Sequence, residues 1–314
     1  MTTSIPTPDR PTPDRPTPDR PTPDRFTPAQ LTPMPVKRKA KRFTWPRTFL
    51  HLGLIAWGVI SVLPLVWMVS ASLQTNAEIY GGVHLIPEDP QWGNYVQAWD
   101  QSSFSDYFFN SVLYTVSVVG GTILLASLSA YAFARMRFPG KNVLYGAFLI
   151  FLFIPIPGAF IPLYLVLANM GLLDTQLGYI LPMVNGSLPV AMFILRAFFE
   201  QLPRELEEAA FIDGASRLQV FAKIAFPLAR PAVATVVILT VLGVWNEYVL
   251  ASVVFSNQAL LPLQVGLLTF QGSYFSQYGL MMAATTITTL PIVVVYLLFQ
   301  KNIIRGVMAG AVKG

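Results

Sequence analysis

Few residues in this chain are equipped to carry chemistry. Its 314 residues include no cysteine, which removes disulfides, thiolate metal sites and cysteine nucleophiles together. The two histidines are His51 and His84, and no intramembrane histidine–acid pair or metal-ligand cluster can be assembled from the residues present. No G-x-x-x-x-G-K-[ST] phosphate loop occurs, so any ATP chemistry belongs to a partner. Two places remain. Glu247 is the only Asp or Glu within a predicted span, where a charge is expensive enough to mark a functional candidate. With Trp245, Asn246 and Tyr248 it offers hydrogen bonds and an aromatic face to a polar solute. The second place is Pro203 to Leu228, PRELEEAAFIDGASRLQVFAKIAFPL, where Arg204, Glu205, Glu207, Glu208, Asp213, Arg217 and Lys223 crowd between stretches almost free of charge. A connection this rich in signal is more readily read by a partner than left idle.

The elements that must position these residues follow from composition. With 54% hydrophobic and 12% charged residues and a mean hydropathy of +0.53, the chain cannot hide its apolar surface in one water-soluble core. An all-α integral membrane protein is expected. Six apolar segments run from about Phe49 to Leu73, Tyr107 to Ala134, Val143 to Leu167, Leu177 to Phe198, Ala232 to Phe255 and Leu280 to Phe299. At ~1.5 Å rise per residue each is long enough to cross a hydrocarbon core of ~30 Å. Pro64, Pro155, Pro157, Pro162, Pro182, Pro189 and Pro291 fall inside them and predict kinks, tolerated where neighbouring helices satisfy the freed carbonyls.

All 21 Lys and Arg residues lie in alternate connections or the termini on one side or, for Arg196, in the last turn of the segment that leads into one, among them Lys37 to Arg47, Arg135, Arg137, Lys141 and the charged stretch. The opposite connections hold only acids, namely Glu78, Glu88, Asp89, Asp100, Asp106 and Asp174. This bias predicts both termini and Pro203–Leu228 in the cytoplasm. On the outer side, Trp92, Tyr95 and Trp99 read as interfacial anchors, and the short apolar run LLPLQVGLLTF as a segment lying along the membrane face or dipping part-way in.

Residues 1–46 form a tail: four tandem PTPDR repeats without an apolar face, expected to be disordered, then a basic flank. The adjoining helix argues against a nucleic-acid patch there. Residues 47–314 form the transmembrane domain, with the charged connection at 200–228. Within it, Pro203 suits a first helical turn and Glu205, Glu207 and Glu208 suit the positive end of its dipole. Leu206, Ala209, Ala210 and Asp213 share one face of mostly small side chains. Gly214 predicts a left-handed stop, and Ser216 with Gln219 a capping box for a second helix ending near Pro227.

The spacing Glu208-Ala209-Ala210, three residues, Gly214, nine residues, Ile224, one residue, Phe226 and Pro227 resembles the EAA loop of ABC-importer membrane subunits, whose pattern is EAA-x3-G-x9-I-x-L-P. The departure is Phe226 in place of Leu. FIPLYLVLANMGLLDTQLGYILP, VWNEYVLASV and FQKNIIRGVMAGAVKG are similar to the carbohydrate-uptake branch, in particular the second permease subunit of maltose- and glycerol-phosphate-type importers, over about Phe49 to Gly314.

The resemblance implies a type I importer in a bacterial or archaeal plasma membrane. Two permeases form the pathway, two cytoplasmic ATPase subunits supply energy, and an extracytoplasmic protein delivers the sugar. ATP and Mg would then sit in the ATPase and no cofactor in this chain. It implies further that Glu208 pairs a basic residue of the ATPase and that Gly214 makes the bend, with Glu207, Ala209, Ala210, Asp213, Ile224 and Pro227 belonging to the same docking element. Trp245, Asn246, Glu247 and Tyr248 would line the sugar pathway or form a contact between the two permeases. Asn185 and Ser187 offer polar groups too, of a kind that also holds helices together. The terminal RGVMAGAVKG would reach toward the ATPase pair. A secondary transporter is the nearer alternative, although Glu247 stands almost alone as an ion-coupling group; an intramembrane hydrolase lacks its catalytic residues.

Overall fold

The computed structural model describes residues 47–100, 103–153, 160–273 and 277–311. The PTPDR repeats, the basic flank before Arg47, Pro155, Pro157 and the last three residues lie outside the described residues. Contacts divide the chain into two units, Met1–Ile55 and Ala56–Gly314. The described part of the first is the opening of helix α1 (Arg47–Ser72), whose remainder belongs to the second. All regular structure among the described residues is helical.

Among the described residues four helices are long and apolar enough to cross a membrane: α1, α4 (Phe104–Arg135), α7 (Gln176–Gln201) and α14 (Tyr278–Ala311). A fifth span is reached if the bent pair Arg217–Leu228 and Arg230–Trp245 counts as one. Two shorter connecting helices, α2 (Asn76–Gly81) and α3 (Gly93–Asp100), precede α4, and the expected third segment is divided into α5 (Lys141–Phe153) and α6 (Phe160–Asn169). Helices run on through Pro64, Pro182, Pro189 and Pro291. A bend of 74° falls at Ala229, between α10 (Phe226–Leu228) and α11 (Arg230–Trp245).

Two buried clusters hang on α4 and α7. Toward the start of α4, Tyr114 stacks on Phe255 with centroids 5.7 Å apart and lies 4.9 Å from Tyr179. Toward its end, Ala126, Ala130 and Tyr131 pack with Met192, Leu195 and Phe199 of α7 and with Ala225, Ala229, Ala232 and Val236. Repeated alanines let these helices approach closely, the usual basis of helix association in lipid. By contrast Trp57, Ile60 and Leu63 of α1 are exposed, as apolar side chains facing lipid should be.

The connection from α1 to α4 is a built scaffold. Thr75 and Glu78 form a capping box at α2, buried Gln74 donates to Ser70 Oγ (2.9 Å) and the His84 carbonyl (2.7 Å), and Asn94 donates to the Ser72 carbonyl (2.9 Å). Of the three aromatics expected to anchor in the interface, Tyr95 meets Ser72 Oγ at 2.6 Å. Trp99 packs edge-on against Phe104 and lies against Phe108. Trp92 is the exposed one.

The run after Ser256 packs against the rest of the protein. It forms α13 (Leu263–Ser273), with Leu263, Val265 and Leu267 buried. The first turns of α4 hold its approach: Asn110 donates to the Ala259 and Leu261 carbonyls, Tyr114 to the Leu260 carbonyl, and Ser111 Oγ accepts from the Leu263 N–H.

Candidate coupling site and pathway residues

Helix α8 (Arg204–Ile212) opens one residue later than expected. Pro203 is its N-cap, with an extended ψ of 132°, because a proline N–H is dispensable just outside a helix as well as in its first turn. The end matches the sequence reading. Gly214 has φ +82°, its N–H donates to Phe211 O (3.1 Å), and the Ala215 N–H donates to Ala210 O (2.9 Å). These two bonds make a Schellman motif that satisfies carbonyls the helix would otherwise leave open. Ser216 and Gln219 then form a reciprocal capping box for α9 (Arg217–Val220). The chain continues through a π-helical turn, Phe221–Ala225, into α10, so Ile224 lies in the π turn and Pro227 in α10. Such turns occur mostly as local insertions at functional places.

The side chains of this element divide by exposure. Glu208, Ala209, Asp213 and Gly214 are exposed, while Ala210, Ile224 and Pro227 are half-buried. Leu206, Phe211, Ile212 and Leu218 are also exposed, Ile212 to 86%. Large apolar side chains in water beside so many charges form a surface suited to a protein partner. Glu207 differs from its neighbours. It is buried, and its Oε1 lies 2.8 Å from Nε of Arg135, the last residue of α4, at an angle that makes the contact an ion pair rather than a hydrogen bond. Sequence reasoning counted Arg135 only in the charge bias. The signal that marks it is a cation in the last turn of a long helix, where the dipole favours positive charge.

At the other candidate site, the helix is broken. Helix α11 ends at Trp245, α12 (Val249–Val254) begins four residues later, and Asn246, Glu247 and Tyr248 occupy the break. The Glu247 carboxylate accepts the Leu250 and Ala251 N–H groups, capping α12 as a helix N-terminus favours. Trp245 does not offer its face to a solute: it is buried, and its indole N–H donates to the Thr288 carbonyl of α14 (3.1 Å). Asn246 and Tyr248 are exposed, and so is Asn185 on α7. Ser187 lines a groove of about 300 Å³ between α7 and α11 with Val190, Val236 and Thr240, but its hydroxyl is spent on the Met183 carbonyl. Asp174, previously only an acid in a connection, ties this region together. Its Oδ1 accepts the Ser256 and Asn257 N–H groups at 2.6 and 2.8 Å, and its own N–H donates to Val254 O.

Comparison with known proteins agrees with this architecture. The chain is 37% identical over 262 residues to a diacetylchitobiose uptake system permease protein of Streptomyces coelicolor, covering 83% of this chain and 87% of that one. It is 36% identical to a trehalose transport system permease protein of Mycobacterium tuberculosis, covering 81% and 93%. Among solved structures, a bacterial ABC transporter involved in import of the acidic polysaccharide alginate matches with a TM-score of 0.72 and 25% identity, over 82% of this chain and 98% of that one. Residues 99–309 match the family of binding-protein-dependent transport system inner membrane components, and with more than 80% of its length aligned to such permeases the chain belongs to that family.

Proposed function

We infer that this chain is one of two permease subunits of an ATP-driven sugar importer, a transport subunit rather than an enzyme. The named relatives handle diacetylchitobiose and trehalose, and the structural neighbour alginate; this common saccharide chemistry supports a sugar or sugar-like solute. Six spans follow if α5 with α6, and α11 with α12, each make one crossing beside α1, α4, α7 and α14. The Lys and Arg bias then sets both termini and Pro203–Leu228 on the cytoplasmic side of a bacterial or archaeal plasma membrane.

The observation that carries the coupling role is the helix, Schellman turn and capped helix of Arg204–Val220, which holds Glu208 and a set of apolar side chains outward. It docks on a cytoplasmic ATPase subunit through Glu208, Ala209, Ala210 and Asp213. Gly214 shapes the turn, and Ile224 and Pro227 anchor the element to the spans. A second permease completes the pathway, a second ATPase copy serves it, and an extracytoplasmic binding protein delivers the solute. ATP and Mg are held by the ATPase, and this chain holds no cofactor. Closure of the ATPase pair moves the loop and rocks the spans, opening the cavity alternately to each side. Asn246 and Tyr248, presented at the α11–α12 break, and Asn185 border the pathway, with Glu247 fixing the break.

The test is uptake of labelled oligosaccharide into vesicles carrying the chain with its second permease, ATPase and binding protein. ATP-dependent uptake that needs all four supports the reading. Uptake by this chain with no ATPase, driven by an ion gradient, overturns it in favour of a secondary transporter.

A further inference from the structure

We propose that Arg135 is a positioning residue for transport: it joins the α4 span to the docking element and carries the element's movement into the membrane. The inference rests on the coupling role proposed for Pro203–Leu228. Among the described residues two ion pairs form, Arg196–Glu200 within one helix and Arg135–Glu207 between helices. The Arg135 side chain is 8% exposed and that of Glu207 11%. Besides meeting Glu207, Arg135 donates from Nη2 to the Leu202 carbonyl. One guanidinium therefore holds both the chain entering α8 and a residue in α8's first turn.

Electrostatics at both ends favour the arrangement. Arg135 closes α4, where the helix dipole is negative, and Glu207 sits in the first turn of α8, where it is positive. One turn before Arg135, Tyr131 packs edge-on against Phe199 at 5.6 Å and against Phe221 of the π turn at 5.2 Å. The end of α4 thus grips the docking element from both of its halves. A planar guanidinium held by one hydrogen bond and one ion pair fixes direction as well as distance. Glu208, the next residue, is left free to face the ATPase. The two acids divide the work: one faces the partner and one faces the span.

The test measures sugar moved per ATP hydrolysed by the assembled, reconstituted importer, and uses a cysteine at Ile212 to report docking by cross-linking to the ATPase. Arg135→Gln leaves Glu207 buried and unpaired, a change that can impair assembly. The double variant Arg135→Met with Glu207→Leu avoids this, because apolar replacement of both members of a buried pair is commonly tolerated. The expected result is that the double variant assembles and still cross-links through position 212, while sugar moved per ATP falls at least tenfold. Assembly and cross-linking with an unchanged ratio would overturn the role of Arg135 and leave docking intact. Loss of the cross-link in the unaltered background would overturn docking itself, and this inference with it.

Discussion

Replacing Gly214 probes the docking element at its turn. The residue sits at φ +82° with nothing within 4 Å of where a Cβ would be. Alanine there meets no neighbour, and its whole effect is the left-handed backbone, about 1–2 kcal/mol for an L-residue. Asparagine tolerates that region better and should lose less. Proline cannot adopt it at all, since its ring holds φ near about −65°, and it also deletes the N–H that bonds Phe211. The Schellman turn would then open and Ile212 and Glu208 would leave their present orientation. If docking requires the turn as seen, alanine weakens ATPase association by roughly 5- to 30-fold, asparagine by less, and proline abolishes it. The assay is titration of detergent-solubilised permease pair with ATPase, alongside vesicle uptake. Membrane levels of all three variants should match the unaltered chain, because the turn lies outside both buried clusters. Equal ATPase affinity and uptake for the Gly214→Pro variant would refute the reasoning.

Four further outcomes follow from the geometry. Glu247→Ala removes the cap of α12, at about 0.5–2 kcal/mol, whereas Glu247→Gln keeps one acceptor; thermal unfolding should rank the alanine variant below the glutamine. Changes at Asn246 and Tyr248 should instead shift solute affinity in uptake assays, and unchanged affinity in both would remove them from the pathway. Hydrogen bonds from the Thr75 and Glu88 N–H groups hold the Glu78 carboxyl below its ordinary value of 4.5, so the capping box contributes stability above that pH and loses it as pH falls through the lowered value. Protection of the Thr75 and Glu88 amides relative to their intrinsic exchange rates should fall there, and Glu78→Gln should flatten the dependence. At Gly279 an added Cβ would stand 2.5 Å from the Gln74 carbonyl; Gly279→Ala should lower stability by about 1–3 kcal/mol as overpacking, read as a drop in detergent melting temperature.

What was legible beforehand was local. The stop at Gly214 and the Ser216–Gln219 cap depend on residues three to five apart, and the docking element could be drawn from them. The non-local parts were not visible. Nothing near Arg135 in the chain points to Glu207, because a basic residue beyond a span reads equally well as a topological charge. The α11–α12 break contains neither glycine nor proline. Glu247 sits there because the carboxylate itself caps the next helix, so a half-buried acid suggestive of substrate binding turned out to be bonded to backbone. Trp245 misled for a related reason: an aromatic with a polar N–H suits a sugar site or a core, and only its neighbours decide. Length alone drew six spans, whereas four continuous helices pass on length and apolarity and the others are built from shorter pieces.

Because the chain has no cysteine of its own, one introduced thiol reports one position. The most direct measurement is cross-linking from a cysteine at Ile212, the most exposed large apolar residue of the docking element, to the co-expressed ATPase in native membranes. A cross-linked species that forms with the ATPase, and whose yield changes when ATP is trapped, is what the account predicts. Its absence at Ile212 and at Leu218, while a cysteine elsewhere on the same chain cross-links to the second permease, would contradict the claim that energy enters through Pro203–Leu228.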